Sequence, residues 1–354
     1  MSNLNSSNKD FFVEKTCVVV SLDRGLPMVR TGTDEFRAQL STEAEKNLDI
    51  RPVIGDIVVV DKPSGHDIAI INKIMPRRTQ LCRRSLVESV HEGQGKANQQ
   101  ILAVNFDYVF VVCALGRKPI DLNYLERQLV MAHDSGAEVV VVLTKADTHV
   151  VKRAVSDTDN LHAGGRAVCD RNDKRDVKHA IGGQVDSYDD VQAAKSVAMD
   201  CRVIVESAVT GDGLAEIESI LASSKGVGVL LGRSGVGKST LVNELLGAPL
   251  LQIGEVRGKD NAGRHTTVAR KLVYLPKGGA LVDAPGLRSI GLLGAELGLQ
   301  RTFPEIYANA ANCRYRDCTH ASEPNCAVLA AQSAGKIQKR RLDSYLDIAN
   351  EVFD

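Results

Sequence analysis

Residues 232–240, GRSGVGKST, have the types and spacing that bind phosphate. They contain a complete G-x-x-x-x-G-K-S pattern, in which glycines let backbone N–H groups surround phosphate oxygens at a helix N-terminus. Lys238 is then expected to reach the β- and γ-phosphates, and Ser239 to bind Mg²⁺. An apolar run precedes the motif and a helical pattern follows it, which is the context such a loop requires. The predicted phosphate-side residues are Gly232, Arg233, Ser234, Gly235, Val236, Gly237, Lys238, Ser239 and Thr240.

Two later segments are candidates for sensing a γ-phosphate. The sequence DAPG ends an apolar strand pattern, so the Asp283 carboxylate is a candidate Mg²⁺ ligand and the Gly286 N–H a candidate phosphate contact. In the loop GRHTT, Thr266 or Thr267 could bind Mg²⁺ and close over the phosphate. The sequence does not decide between these threonines, and a simple turn is the alternative for both segments. The predicted magnesium ligands are Ser239, Thr267 and Asp283.

Another pair of motifs has the composition of a guanine-reading site. In TKAD, residues 144–147, Lys145 would lie along the base and the Asp147 carboxylate would accept the N1 and N2 hydrogens. The loop that begins SAVTGDGL resembles one whose backbone reads the guanine oxygen. A strand-end turn is the alternative for TKAD, but each motif ends a strand that the sheet needs. The predicted base-side residues are Thr144, Lys145, Ala146, Asp147, Ser207 and Ala208.

Four residues near the C-terminus have the spacing of a metal site. Three cysteines and one histidine occur within fourteen residues, in the order Cys-x4-Cys-x-His-x5-Cys. Three thiolates and an imidazole form a closed tetrahedral set that suits structural Zn²⁺ and leaves no position for a catalytic water. Because so small a region cannot fold by apolar burial alone, zinc is expected to contribute its folding energy. Unrelated reduced cysteines are the alternative; the predicted ligands are Cys313, Cys318, His320 and Cys326.

The elements that must position these motifs fall into successive regions. Residues 1–87 contain short strand patterns broken by glycine and proline, which predict a small β-barrel. Residues 88–100 are polar and indicate a linker. Residues 101–291 alternate buried strands with helical stretches, which predicts a parallel α/β sheet. A long polar insertion is expected at about 152–200, and residues 292–354 predict the metal-binding region and a final helix.

Composition narrows the class of protein without identifying a partner. The chain has 354 residues, with 44 Lys plus Arg and 44 Asp plus Glu, so net charge gives no argument for nucleic acid. The N-terminus is polar and no apolar run has the length of a membrane span, so we expect a cytoplasmic protein with no membrane partner. Cys17 and Cys113 lie in strand-like apolar runs and are expected to be buried reduced thiols.

The order of the motifs is unusual, because both base-reading motifs precede the phosphate-binding loop. With the barrel before them and the Cys/His cluster after them, the chain resembles the ribosome small-subunit-dependent GTPase A family (RsgA, YloQ or YjeQ) over nearly its whole length. The resemblance implies an OB-like barrel, a circularly permuted P-loop GTPase domain in the order G4-G5-G1-G2-G3, and a zinc-binding helical domain. It implies GTP hydrolysis with Mg²⁺, one structural Zn²⁺ per chain, and binding to the small ribosomal subunit and its rRNA late in assembly. Dissociation would follow hydrolysis, and we expect a monomer.

The chain departs from the family pattern in its guanine motif. Thr144 stands where the family has Asn, which weakens guanine preference but leaves the contact of Asp147. The 152–200 insertion also exceeds the family norm.

Catalysis is expected to need help from a partner. Leu287 occupies the position where many GTPases have a water-polarising Gln, so the isolated enzyme should be slow until a partner or loop ordering completes the site. His265 is the internal candidate for orienting water, and a solvated loop histidine is the alternative. The predicted catalytic residues are Lys238, His265, Thr266 and Thr267.

Basic clusters provide the sequence argument for RNA binding. Arginines after the barrel strands are predicted RNA ligands, since OB-like barrels often bind oligonucleotides, although a solvated charged face is the alternative. These are Arg77, Arg78, Arg83 and Arg84. A second cluster begins the last helix and comprises Lys336, Lys339, Arg340 and Arg341.

Two other functions compete with this interpretation. A metabolic P-loop ATPase or kinase has no need of the guanine-reading pair. A non-catalytic RNA-binding module has no need of an intact Lys238, Ser239 and Asp283. The order of the chain also leads from DAPG through residues 287–297 directly to the metal-binding region, which predicts that γ-phosphate sensing moves that region.

Overall fold

The chain folds into a barrel, an α/β sheet and a helical C-terminal region, with a β-hairpin between the first two. The computed structural model describes residues 14–23, 26–47, 51–62, 66–85, 98–116, 118–148, 187–249, 271–283 and 291–353. Several predicted residues lie outside this description, namely His265, Thr266, Thr267, Gly286 and Leu287.

Five strands close the predicted barrel. They are β1 (Glu14–Asp23), β2 (Leu26–Thr31), β3 (Asp34–Leu40), β4 (Ile57–Asp61) and β5 (Ile68–Ile74), with a short helix α1 (Thr42–Asn47) before β4. Pairing runs from β1 through β2, β3, β5 and β4 back to β1, so the five strands form a closed ring. Alternate residues face the interior. They form an apolar core of Cys17, Val19, Val29, Phe36, Ala38, Val58, Val60, Ala69 and Ile71.

A separate hairpin follows the barrel and changes the predicted boundaries. Strand β6 (Gln80–Ser85) pairs antiparallel with β7 (Asn98–Val104) in a two-stranded sheet. Part of the predicted barrel region and part of the predicted linker therefore form this hairpin instead. The physical reason is that β6 pairs with β7 from Gln80 to Ser85 and with no barrel strand among the described residues. Gly55 joins the two parts closely, since a Cβ there would lie 2.0 Å from the Val104 carbonyl oxygen.

A parallel sheet carries the motif-bearing loops. Its strands are β8 (Tyr108–Ala114), β9 (Glu138–Thr144), β10 (Arg202–Val205), β11 (Val227–Leu231) and β13 (Ala280–Asp283), in the order β10-β9-β8-β11-β13. Helices α2 (Leu122–Asp134) and α3 (Ser187–Ala198) cover one face, and α4 (Leu214–Ser223) and α5 (Lys238–Leu246) cover the other. Burial on both faces explains the near-continuous apolar strand sequences. Helix α3 lies in the last part of the predicted insertion; residues 152–186 lie outside the description.

Buried thiols occur where the apolar runs predict them. Cys17 lies in β1 and Cys113 in β8, and both are buried. Burial raises the pKa of the Cys113 thiol to about 12.

One further strand, β12 (Lys271–Tyr274), is not predicted by the sequence. Its four residues are too few to show a period. β12 pairs antiparallel with β13 and, through Lys271 and Ser21, with β1 of the barrel. The Arg30 guanidinium lies 4.1 Å from the centroid of the Tyr274 ring beside this junction. A single hydrogen-bonded sheet therefore continues from the α/β layer into the barrel.

Four helices form the C-terminal region: α6 (Glu296–Thr302), α7 (Pro304–Ala310), α8 (Ala327–Ser333) and α9 (Lys339–Phe353). Their apolar residues belong to the same core cluster as α2, so this region packs on the α/β layer and has no core of its own. Among these are Leu299, Phe303, Ile306, Val328, Leu342, Tyr345 and Ile348. No helix in the described ranges is both long and apolar enough to cross a bilayer.

Candidate functional site

The phosphate-binding loop joins β11 to α5 at the carboxyl edge of the sheet. Glycine is required at three points of this loop. A Cβ at Gly232 would lie 2.5 Å from the Val112 carbonyl oxygen, and Gly235 and Gly237 have φ of 82° and 104°. The Lys238 ammonium donates to the carbonyl oxygens of Gly232 at 2.6 Å and Arg233 at 2.7 Å, so it lies over the opening of the loop. This geometry suits an anion at the N-terminus of α5.

The remaining phosphate-side residues occupy the same loop and helix start. Ser239 and Thr240 lie in the first turn of α5, and Ser234 lies in the loop. Asp283 is the last residue of β13, where its backbone pairs with Lys271. β13 is the direct parallel neighbour of β11, so the backbone of Asp283 lies at the sheet edge that also carries the phosphate-binding loop.

The base-reading segment after β9 contacts the phosphate-binding loop directly. The Thr144 hydroxyl donates to the Val236 carbonyl, and the Lys145 ammonium donates to the Gly235 carbonyl at 2.7 Å. Lys145 has φ of 62°, a left-handed conformation that non-glycine residues seldom adopt and that concentrates at functional sites. Motifs separated by about ninety residues are therefore joined by two side-chain hydrogen bonds.

The two base-reading motifs also contact one another. The Ser207 hydroxyl donates to the Asp147 carboxylate at 2.9 Å, and the Ala146 N–H donates to the Glu206 carbonyl at 3.1 Å. The loop after β10 turns back on itself, since the Thr210 N–H donates to the Ser207 hydroxyl. This arrangement leaves Asp147 with its side chain fixed by Ser207, next to the chain segment of Ala208. These hydrogen bonds join Ala146, Asp147 and Ser207, while Thr144 and Lys145 contact the phosphate-binding loop.

Glu206 is a residue of this site that the sequence analysis missed. Its side chain is only 1% exposed, and one carboxylate oxygen, Oε1, has no hydrogen-bond partner in the described structure. Burial, together with the nearby carboxylates of Asp147 and Glu244, raises the pKa of Glu206 to about 7. The signal in the sequence is an acidic residue placed directly before the Ser-Ala motif, at the end of an apolar strand.

The Cys/His cluster has the geometry of a metal centre. The donor atoms of Cys313, Cys318, His320 and Cys326 all lie within 4.8 Å of one another. The Cys326 Sγ lies 3.4 Å from the His320 Nδ1 and 3.9 Å from the Cys313 Sγ. Ligands about 2.3 Å from a tetrahedral zinc ion would be about 3.8 Å apart, so the donor set fits Zn²⁺.

The loop between the second and fourth ligands is held by Glu323. Its carboxylate accepts from the Thr319 N–H at 2.7 Å, from the Thr319 hydroxyl, and from the N–H groups of Ala321 and Ser322. The hydrogen bond from the Thr319 hydroxyl, followed by those from backbone N–H groups, lowers the pKa of Glu323 to about 2. His320, inside this loop, has φ of 62°. Glu323 therefore stabilises the backbone that presents His320 to the cluster.

The predicted RNA-binding arginines have different surroundings. The Arg77 guanidinium is largely buried and binds both oxygens of the buried Asp56 carboxylate, each at 2.8 Å. Arg78 is 59% exposed and pairs with Asp107 at 2.7 Å. For Arg77 the structure favours an internal role. Arg83 and Arg84 lie in β6, where their backbone pairs with β7. Binding of RNA by these arginines stays a prediction.

The basic start of the last helix has an internal role that the sequence did not predict. Arg340 and Arg341 both bind the buried Glu126 carboxylate of α2, with distances of 2.9 Å and 2.6 Å. Arg341 also binds Glu305 at 2.6 Å. These two arginines dock α9 on the α/β layer.

Comparison with known proteins agrees with this arrangement. A sequence model described as RsgA GTPase matches residues 74–181 and 173–293. The "Small ribosomal subunit biogenesis GTPase RsgA" of Streptomyces avermitilis is 38% identical, over 94% of this chain and 78% of that protein. The protein of the same name from Methanosarcina acetivorans is 36% identical, over 85% of this chain and 70% of that protein.

Solved structures show the same fold. YjeQ from Thermotoga maritima superposes with a TM-score of 0.65 at 20% identity, covering 96% of this chain and 99% of that one. YloQ, described as a circularly permuted GTPase, superposes with a TM-score of 0.61 at 19% identity, covering 98% and 97%. Both likenesses cover the barrel, the sheet and the C-terminal helices together. The family match and these relatives show that the chain belongs to the RsgA GTPase family.

Proposed function

We propose that this chain hydrolyses GTP and acts on the small ribosomal subunit late in its assembly, leaving after hydrolysis. The observation that carries the proposal is the direct contact of the TKAD segment with the phosphate-binding loop. A guanine-reading segment that is hydrogen-bonded to a phosphate loop serves a guanine nucleotide, and an ATP-using loop has no need of it. The names of the relatives support the ribosomal part of the proposal.

Guanine selectivity rests on Asp147 and on the loop of Ser207 and Ala208. The Thr144 hydroxyl donates its hydrogen bond to the Val236 carbonyl and so joins the two segments. It therefore does not replace the amide that Asn would offer to the base. Asp147, which accepts from Ser207, has a second carboxylate oxygen for the N1 and N2 hydrogens of guanine.

Phosphate chemistry is assigned to the loop and its neighbours. Lys238 moves from the loop carbonyls to the β- and γ-phosphates, and Ser239, Thr267 and Asp283 are the residues that would hold Mg²⁺, which would neutralise phosphate charge. His265 orients the attacking water. With Leu287 unable to polarise water, the isolated enzyme is slow and the small subunit supplies the missing organisation.

The metal cluster has a structural role in this proposal. Zinc bound by the four predicted ligands fixes the segment between α7 and α8 and leaves no coordination position open. Contact with ribosomal RNA, a monomeric state and a cytoplasmic location stay predictions.

Nucleotide turnover by purified protein tests the proposal, with GTP compared with ATP and with or without small ribosomal subunits. We expect slow GTP hydrolysis that subunits stimulate strongly. If the protein hydrolyses GTP but subunits do not stimulate it, the ribosomal part of the proposal would be wrong and the GTPase part would stand. Preferential hydrolysis of ATP would overturn the assignment of TKAD.

A substitution in the base site makes this test sharper. Asp147→Asn replaces an acceptor with a side chain that can donate to the 2-oxo group of xanthine. We expect a loss of GTP turnover of more than about 100-fold and a gain with xanthosine triphosphate. The reason is that a site discriminates strongly between bases when its hydrogen-bonding groups lose their partners on one base and find them on the other. Ser224→Ala, distant from both motifs in the chain, serves as the control.

A further inference from the structure

Arg233 lies in the phosphate-binding loop, but its side chain is held by another element. The guanidinium Cζ lies 3.7 Å from the centroid of the Tyr124 ring, and Nη2 lies 3.0 Å from the Asp121 carboxylate. Asp121 is the N-cap of α2, where it also accepts from the Tyr124 N–H at 3.0 Å. A planar guanidinium that both stacks and forms an ion pair is oriented more firmly than an ammonium would be. The first turn of α2 thus binds the phosphate loop.

The next residues of α2 bind the last helix of the chain. Arg127 and Glu351 of α9 form a two-pronged ion pair, with Nη1 and Oε1 2.6 Å apart. Glu126, fully buried, binds Arg340 and Arg341 at the start of α9. Helix α2 therefore contacts the phosphate loop at one end and both ends of α9 along its next turn.

The three elements meet around one open groove of about 510 Å³. Its walls come from the phosphate loop, from α2 and from α9, namely Arg233; Asp121, Asn123, Tyr124 and Arg127; and Asp347, Asn350 and Glu351. The groove shows that Arg233 and the C-terminal end of α9 face the same space. Side chains of α2 line the groove between these two walls.

We propose that Arg233 is a positioning residue that couples the phosphate-binding loop to α9 through α2. The inference rests on the proposed nucleotide site. The carbonyl oxygen of Arg233 accepts from Lys238, while its side chain is bound by Tyr124 and Asp121. When a phosphate draws Lys238 away from that carbonyl, the backbone at Arg233 loses a hydrogen bond. The resulting shift of the loop is transmitted to α2 through the contacts of the Arg233 guanidinium. The docking of α9 on α2 responds in turn.

This route differs from the one expected from chain order. That route leaves the sheet after β13 and reaches the C-terminal region at α6. The route through Arg233 reaches it at α9 and uses no residue between 284 and 295. The two routes can therefore be separated by substitution.

Hydrogen exchange of residues 339–353, with and without GDP, tests the inference. In the full-length unsubstituted protein we expect GDP to change protection of α9. Arg233→Gln should remove most of that change, and Arg233→Lys should restore part of it, because lysine keeps the charge for Asp121 but loses the planar stack on Tyr124. A fluorescent GDP analogue measures binding in each preparation. Absence of binding by the unsubstituted protein would count against the proposed function itself, whereas binding without any change in α9 would overturn the coupling alone.

A double-mutant cycle between Arg233 and Glu351 distinguishes coupling from a purely structural role of Arg233. Glu351→Gln removes the ion pair with Arg127 at the C-terminal end of α9. Because coupling between sites is reciprocal, it should change the Kd of GDP by about 3-fold, and by much less in the R233Q background. Equal changes in both backgrounds would overturn the proposal. If R233Q binds no GDP, Tyr124→Leu, which lies outside the loop, replaces it in the same comparison, with the same two outcomes.

Discussion

Two buried glutamates of this protein have opposite surroundings. Glu126, on α2, is fully buried and accepts hydrogen bonds from Arg340, Arg341 and Ser344. Glu206, at the end of β10, is 1% exposed, yet its Oε1 has no partner in the described residues. The first carboxylate is surrounded by opposite charge, and the second is near two other carboxylates, those of Asp147 and Glu244.

The difference in surroundings gives the two glutamates different roles: Glu126 attaches α9 to α2, whereas Glu206 changes its protonation with pH. Removing a buried carboxylate that has arginine partners leaves those charges uncompensated. A buried carboxyl without a partner lowers its cost by holding a proton instead. Glu126 therefore joins two parts of the molecule, whereas Glu206 makes its surroundings, which include Asp147, sensitive to pH.

The largest effect is expected from Glu126→Ala. This change removes one of the two carboxylates that bind the buried Arg341, and breaking a buried pair costs about 3–5 kcal/mol. Urea unfolding and hydrogen exchange of residues 296–353 measure the loss. Asp343→Ala, in an exposed pair on α9, is the control and should change stability by less than about 0.5 kcal/mol. A loss below about 1 kcal/mol in E126A would mean that the network does not attach α9.

A smaller and pH-dependent effect is expected from Glu206→Gln. The pKa of Glu206 is raised to about 7 in the folded protein, so the folded state holds this proton more tightly than the unfolded state does. The stability of the unsubstituted protein therefore falls, for this group, as pH rises from about 4.5 to about 7. The stability of E206Q relative to the unsubstituted protein should rise by roughly 2 kcal/mol between pH 5 and pH 8.

Urea midpoints at the two pH values measure this difference. Glu216→Gln is the matched control, because the Glu216 side chain is half exposed and should give the same difference at both pH values. A difference for E206Q that is independent of pH would show that Glu206 is ionised throughout and that the comparison with Glu126 is mistaken.

The smallest effect is expected from Arg78→Ala, which tests whether burial is what separates strong pairs from weak ones. Arg78 and Asp107 are 59% and 34% exposed, and such pairs contribute about 0–1 kcal/mol. The neighbouring Arg77→Ala breaks a pair with a fully buried Asp56 and should cost several times more. Thermal unfolding at low and high salt measures both. Similar losses for the two arginines would contradict the role given to burial.

Local patterns predicted most of the nucleotide site. The glycine spacing, Lys238 and Ser239 define the phosphate loop within nine residues, and the structure places them between β11 and α5. The barrel and the parallel strands were also predictable, because alternating and continuous apolar runs depend on neighbours along the chain.

Contacts between distant segments were not predictable. Glu126 and Arg341 are separated by 215 residues, and Arg233 and Asp121 by 112. A single sequence shows a basic cluster at the start of a helix but does not show that Glu126 pairs with it. Arg340 and Arg341 were therefore expected at a surface. Glu206 was missed for the same reason, since it lies beside Asp147 and Glu244, which are distant from it in the chain.

The pairing of β12 with β1 has a practical consequence for dissecting the protein. The barrel supplies the backbone partner on the outer side of β12, so a fragment that begins after the barrel would leave this strand as an unprotected edge. Unpaired edges invite association with other chains. Self-association of such a fragment would therefore result from the missing backbone pairing of β12 with β1. Its nucleotide kinetics would not represent those of the whole protein. Separating the barrel from the GTPase domain by substitutions on the barrel surface would keep that ladder whole.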